Sequence, residues 1–523
     1  MGKTAGSYIP EAISRTVEKG QLAPELRNPK VVIFAPFFFQ VLRLAFFFGA
    51  AYSYYNNSPG LAWLLGILLV HSFLDPQCYR KPNLMHAYLV FTVVFYYCRW
   101  VMAWGQVGVT FYKEDAPAWV RVLKDIVWVG FVAIVGFRAL SRRRFDRHMP
   151  LWFTPRGMVL VFLALVYLAL PALSLIYARG SVFDIVLIDM RYPLEYVPFV
   201  FLFPFVLRGQ SSVRYLRVFV PLIILSLLFL GVERFSGRQT GFGGAGLYAR
   251  YGSIFGSPND FGLFMTLSIT AFLALLAERA IRWSLKLVGL LGLCVFALAS
   301  TVSLSAIFSM VFSAFTLVLF ARNKAKSAAA VLAVVVLAAG LYFAFPQAGV
   351  PTYLRERLES LSTLKERSEN EHYVSVIDTE AAIARFEPVE YVVGTLQSRK
   401  DIMLPETYYL RAFYIRGGIS LLILLSIIGL TLFEAHRRYR AALGNPQRRA
   451  LFLTAFLGVA AFSFAALFIP YFDIFPSNFY FWFLTAIIWC EPMNEKEVAA
   501  THAARPHQLV GVRGQRLATR LGG

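Results

Sequence analysis

Apolar runs of about 15 to 25 residues recur along almost the whole chain, broken by short charged or turn-forming segments. A helix needs roughly 20 apolar residues to cross a bilayer, so the pattern predicts an all-α polytopic membrane protein. The predicted spans are about 33–53, 61–75, 86–104, 118–139, 157–178, 193–208, 216–232, 260–278, 284–301, 303–320, 328–345, 408–432, 451–469 and 476–490. The sign of the connections orders them. YRKPN, SRRRFDRH, LRGQSSVRYLR, ERAIR, ARNKAK and HRRYR…NPQRR are rich in Arg or Lys. The alternate connections, among them YNNSPG, the region around KEDAP and IPYFDIFPSN, are neutral, mixed or acidic. Basic loops favour the cytoplasmic side, which predicts about fourteen spans. Residues 1–30 form a cytoplasmic N-terminal segment, 31–490 a transmembrane domain, and 491–523 a cytoplasmic tail. The block 284–320 has basic flanks at both ends, so two helices with a tight outer turn near Ser300–Ser303 are expected, and the polar string STVSLS sits there.

Composition agrees with this and removes other classes. Of 523 residues 58% are hydrophobic, 16% aromatic and only 15% charged, far from a soluble domain. The formal charge of +21 is spread between apolar spans. It therefore reads as topology and attraction to anionic membrane lipids, not as a nucleic-acid surface. The mixed-charge opening EAISRTVEKG carries no cleavable leader pattern. Cys78, Cys98, Cys294 and Cys490 lack paired spacing and read as buried, inert thiols. No Walker loop, HExxH, DxD or Cys/His set is present, so neither a cofactor nor a metal site is expected.

The outer face carries the unusual residues. Residues 346–407 form an outer loop with patterning of its own, in which PTYLRERLESLSTLKER and EHYVSVIDTEAAIARF read as amphipathic surface helices. Such a structured long loop is usually functional. Arg191, Arg234, Arg238, Arg250, Arg355, Arg357, Arg367, Arg385, Arg411 and Arg416 map to this side, against the positive-inside bias. Guanidinium groups suit a phosphate or pyrophosphate ligand, or they snorkel to headgroups and pair with nearby acids. Glu406 precedes a span, close to Arg411 and Arg416. It is a candidate base toward a sugar hydroxyl, or a carboxylate complementing a helix N-terminus. His372 is the one histidine of the long loop.

Four stretches follow one another in a telling order: RYGSIFGSPNDFG (250–262), STVSLS (300–305), EPVEYVVG (387–394) and ETYYLRAFYIRGG (406–418). Over about residues 190–430 this order resembles the O-antigen ligase and polymerase superfamily of bacterial envelopes, the WaaL-type ligases and Wzy-type polymerases. The resemblance implies a helical fold like that of C-type glycosyltransferases, with 346–407 as a periplasmic loop. It also implies metal-independent transfer of a glycan from an undecaprenyl-pyrophosphate carrier at the periplasmic face of the inner membrane. Arg250 inherits a pyrophosphate-binding role, as do Arg191 and Arg367. Glu406 stands where the ligases carry a histidine proposed to activate the acceptor. Asn259, Tyr409, Arg411 and Arg416, within the same stretches, and His372 are candidate contacts to pyrophosphate or glycan. The ligase-type Ser-Arg after the serine turn is Ser303-Leu304 here. These departures favour a polymerase of lipid-linked repeats, with a chain-length regulator and a flippase as companions. A ligase acting on lipid A–core or protein, and a transporter of lipid-linked sugar, are the alternatives.

Overall fold

Why the chain folds as it does begins at its helix starts. In the computed structural model, residues 45–46, 49, 128–137, 150–177, 197–198, 200–203, 219–236, 251–255, 257–344, 371–395, 407–442, 445–474 and 477–492 are described. Every regular element among them is helical. In chain order these include α1 Trp128–Phe137, α2 Pro155–Tyr177, α3 Phe219–Ser236 and α4 Pro258–Ala277. Next come α5 Leu285–Thr301, α6 Leu304–Phe320, α7 Lys324–Ala344 and α8 Glu371–Ile383. α9 Pro388–Val393, α10 Tyr408–Ala441, α11 Pro446–Ala465 and α12 Ser477–Cys490 complete the set. Ser257, Ser284 and Asn445 each accept a backbone N–H three residues on, at 3.3, 3.2 and 3.0 Å, and start α4, α5 and α11. Pro follows Ser257 and Asn445 directly, where its missing N–H costs nothing.

The expected hairpin between α5 and α6 is present and turns on two residues. Val302 ends α5 in the left-handed region at φ 50°, an uncommon conformation for a β-branched residue. It is held by Val302 N–H to Ala299 O at 3.1 Å and by Thr301 Oγ1, which donates to Leu298 O and accepts from Ser303 N.

The centre is α4, α11 and α12. Apart from Ser477, Asn478 and Thr485, α12 is apolar all round, and all of its residues are buried, as such a helix must be. Close approach comes from small residues: a Cβ on Gly458 of α11 would lie 2.7 Å from Leu484 Cδ1 of α12. Thr266 Oγ1 on α4 donates to Ala306 O on α6 at 2.9 Å, an interhelical bond of the kind that holds membrane bundles. Arg438 caps α12. Fully buried over the Phe452 ring, it donates to Ile488 O and Glu491 O at 2.6 and 2.8 Å.

Among the described residues three helices, α4, α10 and α11, are long and apolar enough to cross a membrane. Elsewhere apolar side chains face outward at helical spacing, as with Met158, Val159, Phe162 and Leu165 on α2. An outward apolar stripe is unfavourable in water and favourable in lipid, which suits a membrane protein. The chain divides into two units, Met1–Asp75 and Pro76–Gly523, and all labelled helices belong to the second.

Polar groups gather at the two ends of α4, α10 and α11. At one end Glu278, 4% exposed, accepts from Tyr439 Oη at 2.5 Å and from Arg449 Nε at 2.6 Å. Tyr439 Oη in turn accepts from Arg322 N at 2.7 Å, so one carboxylate ties α4, α6, α10 and α11 together. Removing one partner of a buried pair leaves an uncompensated charge. Glu278→Ala is therefore expected to lower stability by about 3 kcal/mol, read as earlier thermal loss of the monodisperse peak in detergent.

Candidate functional site

The other end assembles the four motif stretches in pairs. The first stretch packs on the second. Tyr251 N–H donates to Ser300 O at 3.3 Å, and Ser303 Oγ donates to Asn259 Oδ1 at 2.9 Å. Gly262 lets α4 touch the hairpin: a Cβ there would lie 2.8 Å from Ala306 Cβ and 3.0 Å from Thr301 Oγ1. Gly262→Val is expected to separate α4 from the hairpin and cut folded yield severalfold, measured by fluorescence-detected size exclusion. Ser253 fastens the first stretch to α3. Its N–H donates to Glu233 Oε2 at 3.0 Å and its hydroxyl to Ser226 O at 2.6 Å. The neighbouring Arg234 donates to Ser300 Oγ at 3.3 Å and lies between the Tyr251 and Phe296 rings, 4.9 and 5.0 Å from their centroids.

The third stretch packs on the fourth through two glycines. α10 breaks at Gly417, with φ 72° and ψ 175°. Gly394, at φ 85°, ends α9 against the break. A Cβ on Gly394 would collide with the Ile415 carbonyl, and one on Gly417 with the Val392 carbonyl. The Tyr414 carbonyl near the kink accepts Thr395 N–H at 2.9 Å and the Thr395 hydroxyl at 3.2 Å. Glu387 opens α9 with a capping box, its backbone N–H donating to Glu390 Oε2 at 2.8 Å.

A three-residue 3₁₀ turn, Tyr471–Asp473, joins the two pairs. On one side Tyr471 Oη lies 3.1 Å from Ser305 Oγ and donates to Asn259 O at 3.2 Å. Ser303 Oγ is 3.1 Å from Ser305 Oγ, closing a small hydroxyl network. On the other side Asp473, 6% exposed, meets Arg416 Nη2 at 3.3 Å and Arg411 Nε at 3.3 Å. Arg416 Nη1 donates to Tyr167 Oη and Tyr408 Oη, both at 3.1 Å, and the two phenols are 3.3 Å apart. The Arg411 contact is an ion pair without hydrogen-bond alignment. Among the described residues, two guanidinium groups face this one carboxylate.

Of the residues picked out by sequence, Arg250, Glu406, Arg191 and Arg367 lie outside the described residues. His372 falls in α8. Arg411 and Arg416 come together on Asp473, and Asn259 joins the hydroxyl network. Tyr409 turns to α11, its hydroxyl donating to Ser463 O at 2.7 Å. Ser257 caps α4, and the buried Asp260 carboxylate of its first turn accepts from Ser477 Oγ at 2.5 Å. Sequence reasoning missed Asp473, Tyr471, Tyr167 and Tyr408. The one available signal was an acid two residues after a tyrosine in IPYFDIFPSN. Among the described residues no group of three or more His, Cys, Asp or Glu side chains could hold a metal ion.

No family model matches the chain, and no curated protein matches it.

Proposed function

We propose that this protein is a bacterial inner-membrane glycosyltransferase, a polysaccharide polymerase with its site toward the periplasm. In this reading about fourteen helices span the bilayer. The acceptor repeat's hydroxyl oxygen attacks the anomeric carbon of a glycan carried on undecaprenyl pyrophosphate. The bond from that carbon to the pyrophosphate oxygen breaks, and the carrier leaves with the electron pair. The acceptor proton passes to Glu406. The leaving group is already activated, so positioning and charge stabilisation carry most of the burden. Arg250 is assigned to the pyrophosphate, with Arg191 and Arg367 beside it. Arg411 and Arg416, which converge on Asp473, are assigned to the glycan or pyrophosphate beside them.

One observation supports the reading above the rest. The two motif pairs, 250–262 on 300–305 and 387–394 on 406–418, are brought to the same end of the helices by the Tyr471–Asp473 turn. Cells lacking the protein are expected to make single-repeat products. Long carrier-linked chains in their place would identify a ligase, and loss of all product with carrier-linked repeats held on the cytoplasmic side would identify a transporter. Arg250→Ala is expected to abolish polymer while the protein still accumulates. Full-length polymer from this variant would remove Arg250 from the scheme. Glu406→Gln is expected to slow transfer at least about a hundredfold, and wild-type activity would remove the base.

A further inference from the structure

An apolar groove of about 380 Å³ lies between α3, α4, α11 and α12, away from the motif pairs. Its floor is a stripe on α4, Leu267, Ala271 and Leu275, and its walls include Ile223, Leu451 and Phe483. From Phe264 to Leu275 the lining covers about 16 Å along α4 at 1.5 Å per residue, the scale of an extended acyl chain. Ser268 on this stripe turns its hydroxyl to its own helix, donating to Phe264 O at 2.8 Å.

The groove reaches Ala280, Ile281 and Gln447 at the end of the helices that carries Glu278. That mouth is basic. Arg279, Arg282 and Lys286 are exposed there, and among the described residues none of them forms an ion pair. They are not needed to cap α4 either, because the turn's own amides do so: Arg279 N–H donates to Leu276 O at 3.1 Å and Ala280 N–H to Leu275 O at 2.9 Å. The nearby acid, Glu278, is already matched by Arg449. Trp283, half exposed beside these cations, is the residue type that settles at headgroup level.

We infer that the groove is a binding site for an anionic phospholipid, with one acyl chain along α4 and the headgroup phosphate at Arg279 and Arg282. A chain-filling apolar channel ending in unpaired cations fits that chemistry and not a zwitterionic lipid, whose amine would meet the same cations.

The test uses the full-length protein, purified and delipidated in detergent. Phosphatidylglycerol or phosphatidylethanolamine with identical acyl chains is added, and bound lipid is counted by native mass spectrometry. The wild type is expected to retain one phosphatidylglycerol at least about tenfold better than phosphatidylethanolamine. Arg279→Glu with Arg282→Glu should remove that preference, and Ala271→Trp should remove retention of either lipid. Equal retention of both lipids by the wild type overturns the proposal. So does full phosphatidylglycerol retention by Ala271→Trp, or a wild-type dimer that Ala271→Trp converts to monomer, which would make the groove a contact between copies. If Ala271→Trp does not fold, the charge-reversed pair, altered only at exposed positions, decides the matter. Neither readout depends on glycan transfer.

Discussion

Arg416→Met is expected to abolish polymer formation, by at least about a hundredfold, and to destabilise the protein by about 3 kcal/mol. The guanidinium joins three elements: Tyr167 on α2, Tyr408 on its own helix, and Asp473 in the 3₁₀ turn. Without it Asp473 stays buried with Arg411 alone, whose Nε is poorly aligned. Adding Asp473→Asn removes the stranded charge. The double variant should recover about 1–2 kcal/mol of that stability but none of the activity. Thermal unfolding in detergent reads the first quantity and polymer length on gels reads the second. A double variant no more stable than Arg416→Met would show that the two charges are not coupled. One that restored polymer would show that Arg416 serves stability only.

Gly417→Ala should be nearly as damaging to polymer formation, for a different reason. Its φ and ψ fall in a region that only glycine occupies readily, at a cost of about 1–3 kcal/mol for other residues. The added methyl would also drive into the Val392 carbonyl. α9 must then leave the kink, and limited proteolysis should reveal new cleavage within residues 371–395. Gly429 on the same helix gives the control. Its geometry is helical, and a Cβ added there would meet nothing within 4 Å. Gly429→Ala should therefore stabilise the protein by about 0.5–1 kcal/mol and leave polymer unchanged. Equal effects at both glycines would refute the docking argument.

What the sequence disclosed depended on distance along the chain. The α5–α6 turn was legible because a polar string interrupts an apolar block whose flanks share one charge sign. α8 was legible from apolar spacing in EHYVSVIDTEAAI. The end of α10 was not: apolar character fades near residue 432, yet the helix runs on to Ala441, with Arg438 and Arg440 in its last turn complementing the dipole. The hub was less legible still. Tyr167 and Arg416 lie 249 residues apart, and Tyr471 and Asn259 212. Each, taken alone, reads as a belt aromatic, a surface cation or a loop residue. The GG of IRGG was visible as a pair, but its break in the helix depends on Gly394 arriving from α9.

The Tyr471–Asp473 turn has a further consequence. Residues two apart on a 3₁₀ turn diverge by about 120° around its axis, so Tyr471 and Asp473 reach opposite halves of the site from one rigid piece. The turn is thus a gauge block: it fixes the separation between Asn259 with its hydroxyls and Arg411 with Arg416. A single residue inserted between positions 471 and 473 would re-space those two groups without changing any side chain in either. The length of ligand the site admits would then be set by three residues of backbone, and altered by editing them.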